Sequence, residues 1–365
     1  MKIICRQGSG YNEKRQFLLH NNAIRPKWDA AAILEKISFR LTRRGYQPTW
    51  KSFFFRPFDP SVFIGFNSIR IDGGPFVTFF ETTLPRISNK RTLLRFLQVR
   101  AMKRAHCKSL VAISGCAMRL QLELQLQHQP IHVLHPPQNV LVDQAWKKRF
   151  EHAETIHFCF VGRDFARKGG IEILRAFNQL AADNWRLTIV SDLLLNDYAT
   201  QYSHEEQIQL RIEIDGILQN RKSQIEHFKN LDNSRVLELM KTTHVGLLPT
   251  WHDTYGYSVL EFQANGCPVV TTDVRALPEI NNSKCGWVLP VGAKFEATIS
   301  PLDDEERRRE FSKTLEYLLV DAFEDILSGT GNDLAILAEQ AVERIRREHD
   351  PAAHKVRLTE ILEKQ

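Results

Sequence analysis

The second half of this 365-residue chain alternates short apolar segments with amphipathic ones in a regular order. We predict strands at 156–162, 186–191, 245–248 and 268–272, separated by helices at 169–180, 234–241 and 258–265. Strands that alternate with helices form parallel sheets, because a crossover helix must return the chain to the starting edge. Such sheets bind ligands at the carboxyl ends of their strands. We therefore expect functional residues in the loops that follow these strands.

The first half predicts a second α/β domain. The predicted strands lie at 1–5, 51–56, 61–66, 76–80, 109–114 and 131–134, and the helices at 28–44, 90–104 and 116–127. Pro136 and Pro137, followed by polar residues, indicate a linker. A further strand is predicted at Arg211–Ile214, after a polar connection. The last residues, from Asn332, are expected to be helical with a break at Asp350–Pro351.

The charge of the chain is divided unevenly. The net charge of +6 combines +17 over residues 1–150 with −11 over the remainder. A basic domain attracts phosphates, whether on nucleic acid, on anionic lipid headgroups or on a lipid-diphosphate acceptor. A basic surface that is simply solvated fits the same composition.

Length and cysteine usage narrow the class of protein. A chain of 365 residues exceeds one compact core, which favours two domains. No apolar run is long enough to cross a bilayer, and the first ten residues become polar too quickly for a signal peptide. The six cysteines are scattered without metal-binding spacing, which indicates a reducing cytosol.

A short segment around the predicted helix at 258–265 carries two carboxylates. Asp253 precedes the helix and Glu261, after seven intervening residues, is expected in its first turn. A helix N-terminus offers unpaired N–H groups and a positive dipole end to a phosphate. Gly256 lacks a Cβ and lets the backbone come close to a ligand. The segment predicts an anion-binding site, although an ordinary strand–helix unit with an acidic first turn fits as well.

A basic loop follows the predicted strand at 156–162. It places Arg163 and Lys168 five positions apart, directly before two glycines that open the next helix. Arg binds phosphate oxygens bidentately and Lys acts as a point charge, so the pair could clamp a diphosphate. Arg167 does not fit this pattern and is expected on the surface. A strand, a basic loop and a helix in this order are common, so the prediction depends on the carboxylates found about 90 residues later.

Together the two segments resemble the retaining, nucleotide-sugar-dependent glycosyltransferases of the GT-B fold, family 4 (glycosyl transferases group 1) in particular. Asp253 and Glu261 are similar to the acidic-x7-Glu signature of that family, and Arg163 and Lys168 to its Gly-Arg…Lys-Gly element. Asp253 stands where the family usually has Glu, which is one methylene longer. The resemblance covers residues 156–290 well and the first 150 only in outline.

The resemblance implies two Rossmann-like domains facing a cleft. Residues 1–150 would bind the acceptor, 151–331 the nucleotide-sugar donor, and 332–365 would form C-terminal helices. The implied catalytic residues are Asp253, Glu261, Arg163 and Lys168. The implied donor-binding residues are Gly162, Arg163, Lys168, Tyr255, Gly256, Tyr257, Ser258 and Glu261.

The implied mechanism needs neither a metal nor another cofactor. The leaving group is a nucleoside diphosphate, UDP or GDP, whose developing charge Arg163, Lys168 and the N-terminus of the 258–265 helix would stabilise. The family is inferred to use front-side displacement, in which the departing phosphate helps to take the acceptor proton. Asp253 would contact the transferred sugar and Glu261 the ribose hydroxyls.

The sequence identifies acceptor-binding residues less clearly than donor-binding residues. Gly8 and Gly10, after the first predicted strand, could form a glycine-rich loop, although a lone G-x-G is weak evidence. Glu81 and Thr82 stand where many relatives carry a His near the transferred sugar. Glu81 could orient the acceptor hydroxyl or act as a base, or it could serve only the structure of its loop.

The segment Lys90–Lys108 combines cations with apolar residues at helical spacing. A basic amphipathic helix can lie on an anionic membrane surface. The same apolar positions can instead dock on a sheet while the cations stay solvated. We expect docking on the sheet and keep the membrane as the alternative.

These observations predict a cytoplasmic retaining glycosyltransferase of the hexosyltransferase type (EC 2.4), peripheral on the inner face of a membrane. It would move a sugar from a UDP- or GDP-sugar to a hydroxyl of a glycan or lipid-linked acceptor in bacterial-type surface polysaccharide synthesis. The alternatives are sucrose- or trehalose-type transfer to a small soluble acceptor, a non-catalytic nucleotide-sugar-binding protein, and a nucleic-acid-binding protein that uses the basic half. The chain lacks an RRM, KH or zinc-finger pattern, which argues against a nucleic-acid partner.

Overall fold

A computed structural model describes most of the chain. The described residues are 3–5, 23–24, 53–55, 57–86, 92–126, 128–143, 146–151, 153–197, 200–292 and 305–363. The predicted helix at 28–44 and the loop with Gly8 and Gly10 lie outside these residues. The chain divides into two compact units, Met1–Pro137 with His349–Gln365, and Gln138–Glu348.

The first unit is built on parallel strands. They are β1 (Ile3–Cys5), β2 (Ala23–Ile24), β3 (Phe53–Phe54), β4 (Val62–Phe66), β5 (Ile69–Arg70), β6 (Phe76–Phe80), β7 (Cys107–Ala112) and β8 (Ile131–Val133). One sheet has the order β2-β1-β4-β6-β7-β8, and β3 pairs separately with β5. The described residues before Pro137 include the helices α1 (Thr92–Met102) and α2 (Gly115–Glu123). The buried core includes Phe63, Phe76, Phe80 and Leu110.

The second unit repeats this plan. Its strands are β9 (Ile156–Val161), β10 (Trp185–Val190), β11 (Ile225–Phe228), β12 (Val245–Leu248), β13 (Val269–Thr272) and β14 (Gly286–Leu289). They form one parallel sheet in the order β11-β10-β9-β12-β13-β14. Its helices are α3 (Gly170–Gln179), α4 (His204–Asn220), α5 (Asn233–Thr242), α6 (Tyr257–Ala264), α7 (Leu277–Ile280), α8 (Glu305–Ser328) and α9 (Gly331–Glu348), with a 3-10 helix at Trp146–Phe150. The last helix, α10 (Pro351–Glu363), returns to the first unit.

The predicted α/β class is confirmed, with two Rossmann-like parallel sheets and C-terminal helices. The predicted strand at Arg211–Ile214 is wrong, because these residues lie inside α4. A capping box starts that helix: the Ser203 hydroxyl accepts from Glu206 N, and Glu206 reaches back to Ser203 N. A four-residue apolar alternation is too short to separate a strand from a helix.

The boundaries of the compact units differ from the predicted domain limits of 150 and 331. The first boundary between the units falls after Pro137 and not after residue 150. Phe150 already belongs to the second unit, because its side chain is buried in the core of that unit. The second boundary between the units falls after Glu348. Beyond it, His349 Nδ1 lies 2.8 Å from the Pro136 carbonyl, and His354 Nδ1 lies 3.0 Å from the carbonyl of His135. The final 17 residues are therefore part of the first unit.

Helix α1 docks on the core of its unit with Met102, Val99 and Ala101, but not with all of the apolar residues that were expected to pack there. Its buried positions are Gln98 and Met102, while Leu93 is 72% and Phe96 is 58% exposed, and Leu97 is exposed as well. The apolar residues do not share one helical face, so a polar residue takes the central buried position. The prediction of core packing is wrong for these three side chains.

Candidate active site

The predicted donor-site residues lie in two loops at one edge of the second sheet and at the start of helix α6. The neighbouring strands β9, β12 and β13 are parallel, so their carboxyl ends lie at the same edge. The loop after β9 carries Gly162, Arg163 and Lys168, and the loop after β12 carries Asp253 and Gly256. This is the edge where an open parallel sheet binds its ligands.

Lys168 and Asp253 form an ion pair that joins these two loops. Lys168 Nζ lies 3.3 Å from Asp253 Oδ2, and the side chains are 18% and 15% exposed. Gly162 makes room for it, since a Cβ there would lie 2.6 Å from Lys168 Cδ. The structure thus brings together two of the four predicted catalytic residues.

The pKa of Asp253 reflects two opposing effects. Burial alone would raise it, but the positive charges of Lys168 and Arg167 outweigh burial and hold the pKa below its usual value. The Tyr255 backbone N–H, 3.4 Å from Asp253 Oδ1, acts in the same direction. The carboxylate is therefore ionised at neutral pH and can accept hydrogen bonds from sugar hydroxyls.

Arg167 was expected on the surface, and this prediction is wrong. Its guanidinium is buried and bonds to the carboxylates of Asp164 and Asp197 and to the carbonyl of His252. The backbone carbonyl of Arg167 accepts hydrogen bonds from Thr250 Oγ1 and from the backbone N–H of Trp251. Arg167 thereby ties the loop after β9 to the loop after β12. Asp197 lies thirty positions away in sequence, so no local pattern predicts this contact.

Arg163 occupies a different position from Lys168. Its side chain is 87% exposed, and its Nε lies 3.9 Å from Asp192 Oδ2. So long an exposed ion pair contributes little to stability. Arg163 is thus held only loosely beside the end of β9, whereas Lys168 is fixed against Asp253.

The start of α6 follows the loop after β12. Gly256 has φ +92°, in the left-handed region that favours glycine, and the helix begins at Tyr257. Tyr255 is fully buried, its ring centroid lies 5.3 Å from that of Tyr257, and burial raises its pKa well above the usual value. Its side chain therefore supports the loop. The Ser258 hydroxyl oxygen is buried, and no hydrogen-bond partner for it lies within the described residues.

Glu261 lies on the same helix but one turn further than expected. Because α6 begins at Tyr257, Glu261 is in the second turn, and the first turn holds no acidic residue. The side chain of Glu261 is buried. Its backbone carbonyl accepts a hydrogen bond from Asn265 Nδ2 at 2.9 Å. The two carboxylates of the predicted signature thus flank the left-handed turn that opens α6.

On the first unit, Glu81 and Thr82 follow β6 and are half-buried. Glu81 Oε1 accepts a hydrogen bond from Asn67 Nδ2 at 3.2 Å and forms an ion pair with Arg86. Asn67 comes from a neighbouring loop of the same unit, and Arg86 from the same loop as Glu81. These contacts favour the structural interpretation of Glu81.

Two residues of this edge had no place in the sequence prediction. His252 is buried directly before Asp253, and burial, with the charges of Arg275 and Arg167, lowers its pKa to about 4. Arg275 follows β13 and has φ +52°. The ends of β12 and β13 are joined, because Thr272 Oγ1 donates to the Thr250 carbonyl at 2.7 Å. For both residues, a place shortly after a predicted strand is a sequence signal.

The described part of the chain contains no candidate metal site. Within the described ranges, no group of three or more His, Cys, Asp or Glu side chains is placed to hold a metal ion.

Comparison with known proteins finds a family that is similar to this part of the chain. Residues 143–316 match the family model of the glycosyl transferases group 1. They include the loops after β9, β12 and β13, so the residues of this edge lie in the part of the chain that is similar to the glycosyl transferases group 1. No match to the chain was found among curated protein sequences.

Solved structures share the fold at low sequence identity. A glycosyltransferase from Rickettsia africae is 14% identical, with 100% of this chain and 90% of that chain covered and a TM-score of 0.57. HepE from Anabaena, solved with UDP and glucose, is 12% identical, with both chains fully covered and a TM-score of 0.57. Sucrose-phosphate synthase from Thermosynechococcus elongatus is 14% identical, with 84% and 73% covered and a TM-score of 0.56.

Proposed function

We propose that this glycosyltransferase, with its group 1 domain at residues 143–316, is a retaining enzyme of family 4 and of the hexosyltransferase type. It moves a sugar from a UDP- or GDP-sugar to a hydroxyl of a glycan or lipid-linked acceptor in surface polysaccharide synthesis. The observation that carries the proposal is the Lys168–Asp253 ion pair. It places a cation and an ionised carboxylate side by side just before the N-terminus of α6.

This arrangement suits cleavage of a sugar–diphosphate bond. The developing negative charge on the leaving diphosphate is stabilised by Lys168, by the loosely held Arg163 and by the backbone N–H groups at the start of α6. Asp253 accepts hydrogen bonds from the transferred sugar, and Glu261 from the ribose. As Lys168 is drawn to the phosphate, Asp253 becomes available to the sugar.

We propose that transfer occurs on the face of the sugar that the diphosphate leaves. The departing phosphate oxygen accepts the proton of the attacking acceptor hydroxyl, so retention requires no separate protein base. Glu81 is already engaged by Asn67 and Arg86, which supports a mechanism that does not use it. Protein cations supply the charge that stabilises the leaving group, and we propose that no metal is required.

The donor side is tested first by calorimetric titration with UDP and with GDP, each with EDTA present. HepE was solved with UDP and glucose, which makes the uridine nucleotide the first to measure. We expect binding of one nucleotide and transfer from the matching nucleotide-sugar with retention of the anomeric configuration, read by NMR. Binding without transfer or hydrolysis would identify a non-catalytic protein, and binding of neither nucleotide would overturn the proposal.

We further propose that the protein works in the cytoplasm, peripherally on an anionic membrane surface. The five cysteines with described side chains are buried free thiols. Residues 82–122 contain nine Lys and Arg and no Asp or Glu. In this stretch α1 exposes Leu93, Phe96 and Leu97, and exposed apolar side chains beside cations suit an anionic lipid surface. Along the described ranges, no helix combines the length and the apolar character needed to cross a bilayer.

The membrane proposal is tested by flotation of the full-length protein with vesicles. We expect binding to vesicles that contain phosphatidylglycerol, weakened by salt and reduced several-fold by the double substitution Phe96→Ser and Leu97→Ser. Ile336→Ser removes an equally exposed apolar side chain from α9 and serves as the matched control. Equal flotation of the double variant and the control would refute a role for α1.

A further inference from the structure

We infer that Arg275 is a third anion-binding residue of the donor site and holds an acidic oxygen of the nucleotide-sugar. The inference rests on the proposed function and adds to it a residue outside both sequence motifs. Arg275 lies in the loop after β13, next to the loop that carries Asp253.

The backbone of Arg275 is held in an unfavourable conformation. Its φ of +52° lies in the left-handed region, where a side chain with a Cβ clashes with its own backbone. Non-glycine residues kept in this region occur preferentially at ligand sites, where the surrounding structure prevents them from relaxing. Glycine would fit this position without strain, so the arginine side chain is retained against a local conformational cost.

The surroundings of Arg275 explain why its backbone cannot relax. Its neighbours Val274 and Ala276 are fully buried. The turn is closed across it by a hydrogen bond from Leu277 N to the Val274 carbonyl at 3.1 Å. On the preceding side, the carboxylate of Asp273 accepts from the backbone N–H of Gly292. Both flanks are anchored, so the fold sets the position of the Arg275 backbone.

The loop of Arg275 lies beside the loop that carries the proposed sugar contact, Asp253. The Thr272–Thr250 hydrogen bond holds the start of its loop against the end of β12. After burial, the charge of Arg275 is the largest influence that lowers the pKa of His252. His252 directly precedes Asp253, and its low pKa leaves it uncharged at neutral pH. The positive charges that act on this imidazole are those of Arg275 and Arg167.

The charges at this edge indicate which ligand Arg275 suits. Arg167 is bonded to the carboxylates of Asp164 and Asp197, and Lys168 to that of Asp253. A nucleoside diphosphate or an acidic sugar brings additional negative charge into this edge. A guanidinium pairs bidentately with either a phosphate or a carboxylate. The shared ligand chemistry is thus an acidic oxygen, supplied by the diphosphate or by a carboxylate on the donor sugar.

The test compares the wild type with Arg275→Gly and Arg275→Lys by calorimetry and thermal unfolding. The ligands are UDP, GDP, UDP-glucose and UDP-glucuronate. We expect Arg275→Gly to raise Tm by about 2 °C, because strain is relieved, and to weaken donor binding at least tenfold. Arg275→Lys keeps the charge and the backbone strain, and should bind with an intermediate affinity.

The matched control is Gln125→Gly. Gln125 is exposed and also has a positive φ, +49°, but it lies in the first unit after α2. We expect a similar rise in Tm with no change in the affinity for any of the four ligands. The control separates relief of strain from loss of a ligand contact.

The outcomes distinguish the source of the acidic oxygen. If Arg275→Gly loses affinity for UDP or GDP, the residue binds the diphosphate. If it loses affinity only for UDP-glucuronate, the residue binds a sugar carboxylate. Unchanged affinity for all ligands that the wild type binds would overturn this inference and leave the proposed function intact. A wild type that binds none of the four would overturn both.

Discussion

Glu81 in the first unit and Asp253 in the second are both carboxylates that follow a strand of a parallel sheet, and both pair with a cation. The origin of the cation differs. Arg86 is five residues from Glu81 in the same loop, whereas Lys168 reaches Asp253 from the loop after a neighbouring strand. A pair within one loop stabilises that loop. A pair across two loops leaves both charges at a shared edge, where a ligand can separate them.

The largest expected difference between the two units is one of stability. It concerns Arg167, which ties the loop after β9 to the loop after β12. Arg167→Met removes a buried cation and leaves the carboxylates of Asp164 and Asp197 without it. We expect a loss of about 3 kcal/mol in the free energy of unfolding, measured by urea denaturation. Arg86→Met, which removes the half-exposed cation of the first unit, should cost less than about 1 kcal/mol. If both variants lost the same free energy of unfolding, contacts between two loops would stabilise the protein no more than a contact within one loop.

The second prediction concerns ligand binding. Lys168→Ala should weaken binding of the nucleoside diphosphate by about 2 kcal/mol or more, roughly 30-fold, because the diphosphate loses a fixed cation. Arg86→Ala is the control and should leave the affinity unchanged. Both are read by calorimetric titration. An affinity that Lys168→Ala does not alter would contradict the assignment of this lysine to the phosphates.

The third prediction is a dependence of stability on pH in the second unit. Burial, together with the charge of Arg186, lowers the pKa of His157 to about 4, and His157 Nε2 lies 2.8 Å from Thr188 Oγ1 on the adjacent strand. In the unfolded chain a histidine has a pKa near 6.5, so the unfolded state binds more protons as the pH falls from about 6.5 towards 4. His157 should therefore reduce the stability by about 2 kcal/mol between pH 7 and pH 5.

Urea denaturation at the two pH values measures this difference. His157→Asn should remove most of the decrease that His157 contributes, whereas His204→Asn, at an exposed position that starts α4, should not. If both variants keep the full decrease, buried His252 or a carboxylate is its source instead.

The smallest expected effect belongs to Glu261→Gln. It should weaken binding of nucleotide and nucleotide-sugar about tenfold, the scale of one charged hydrogen bond, and equally for donors that differ in the sugar. Calorimetry with UDP and UDP-glucose, or with the guanosine pair, provides the comparison. A loss limited to the nucleotide-sugar would assign Glu261 to the sugar.

The fold was predictable because its main signals are local and periodic. Apolar runs such as 245–248 and 156–161 show the buried parallel strands directly. The strand predicted at Arg211–Ile214 was wrong because an apolar alternation of four residues occurs in helices as well as in strands. The burial of Arg167 could not be predicted, because the acid that binds it comes from a distant loop.

The site was predictable in part for the same reason. Asp253, Gly256 and Glu261 belong to one segment, and their order alone suggests a site. The partnership of Lys168 with Asp253 appears only in three dimensions. The strain at Arg275 is a property of the backbone, and the identity of a residue does not reveal its φ.

The return of the last 17 residues to the first unit has a consequence for synthesis on the ribosome. In α10 the side chains of His354, Leu358, Ile361 and Leu362 are buried, and this helix belongs to the unit that the chain began. Domains usually fold in the order in which they emerge. Here the second unit is translated between the two parts of the first unit, whose helix α10 emerges only after residues 138–348. A chain that stops before His349 could finish the second unit but not the first.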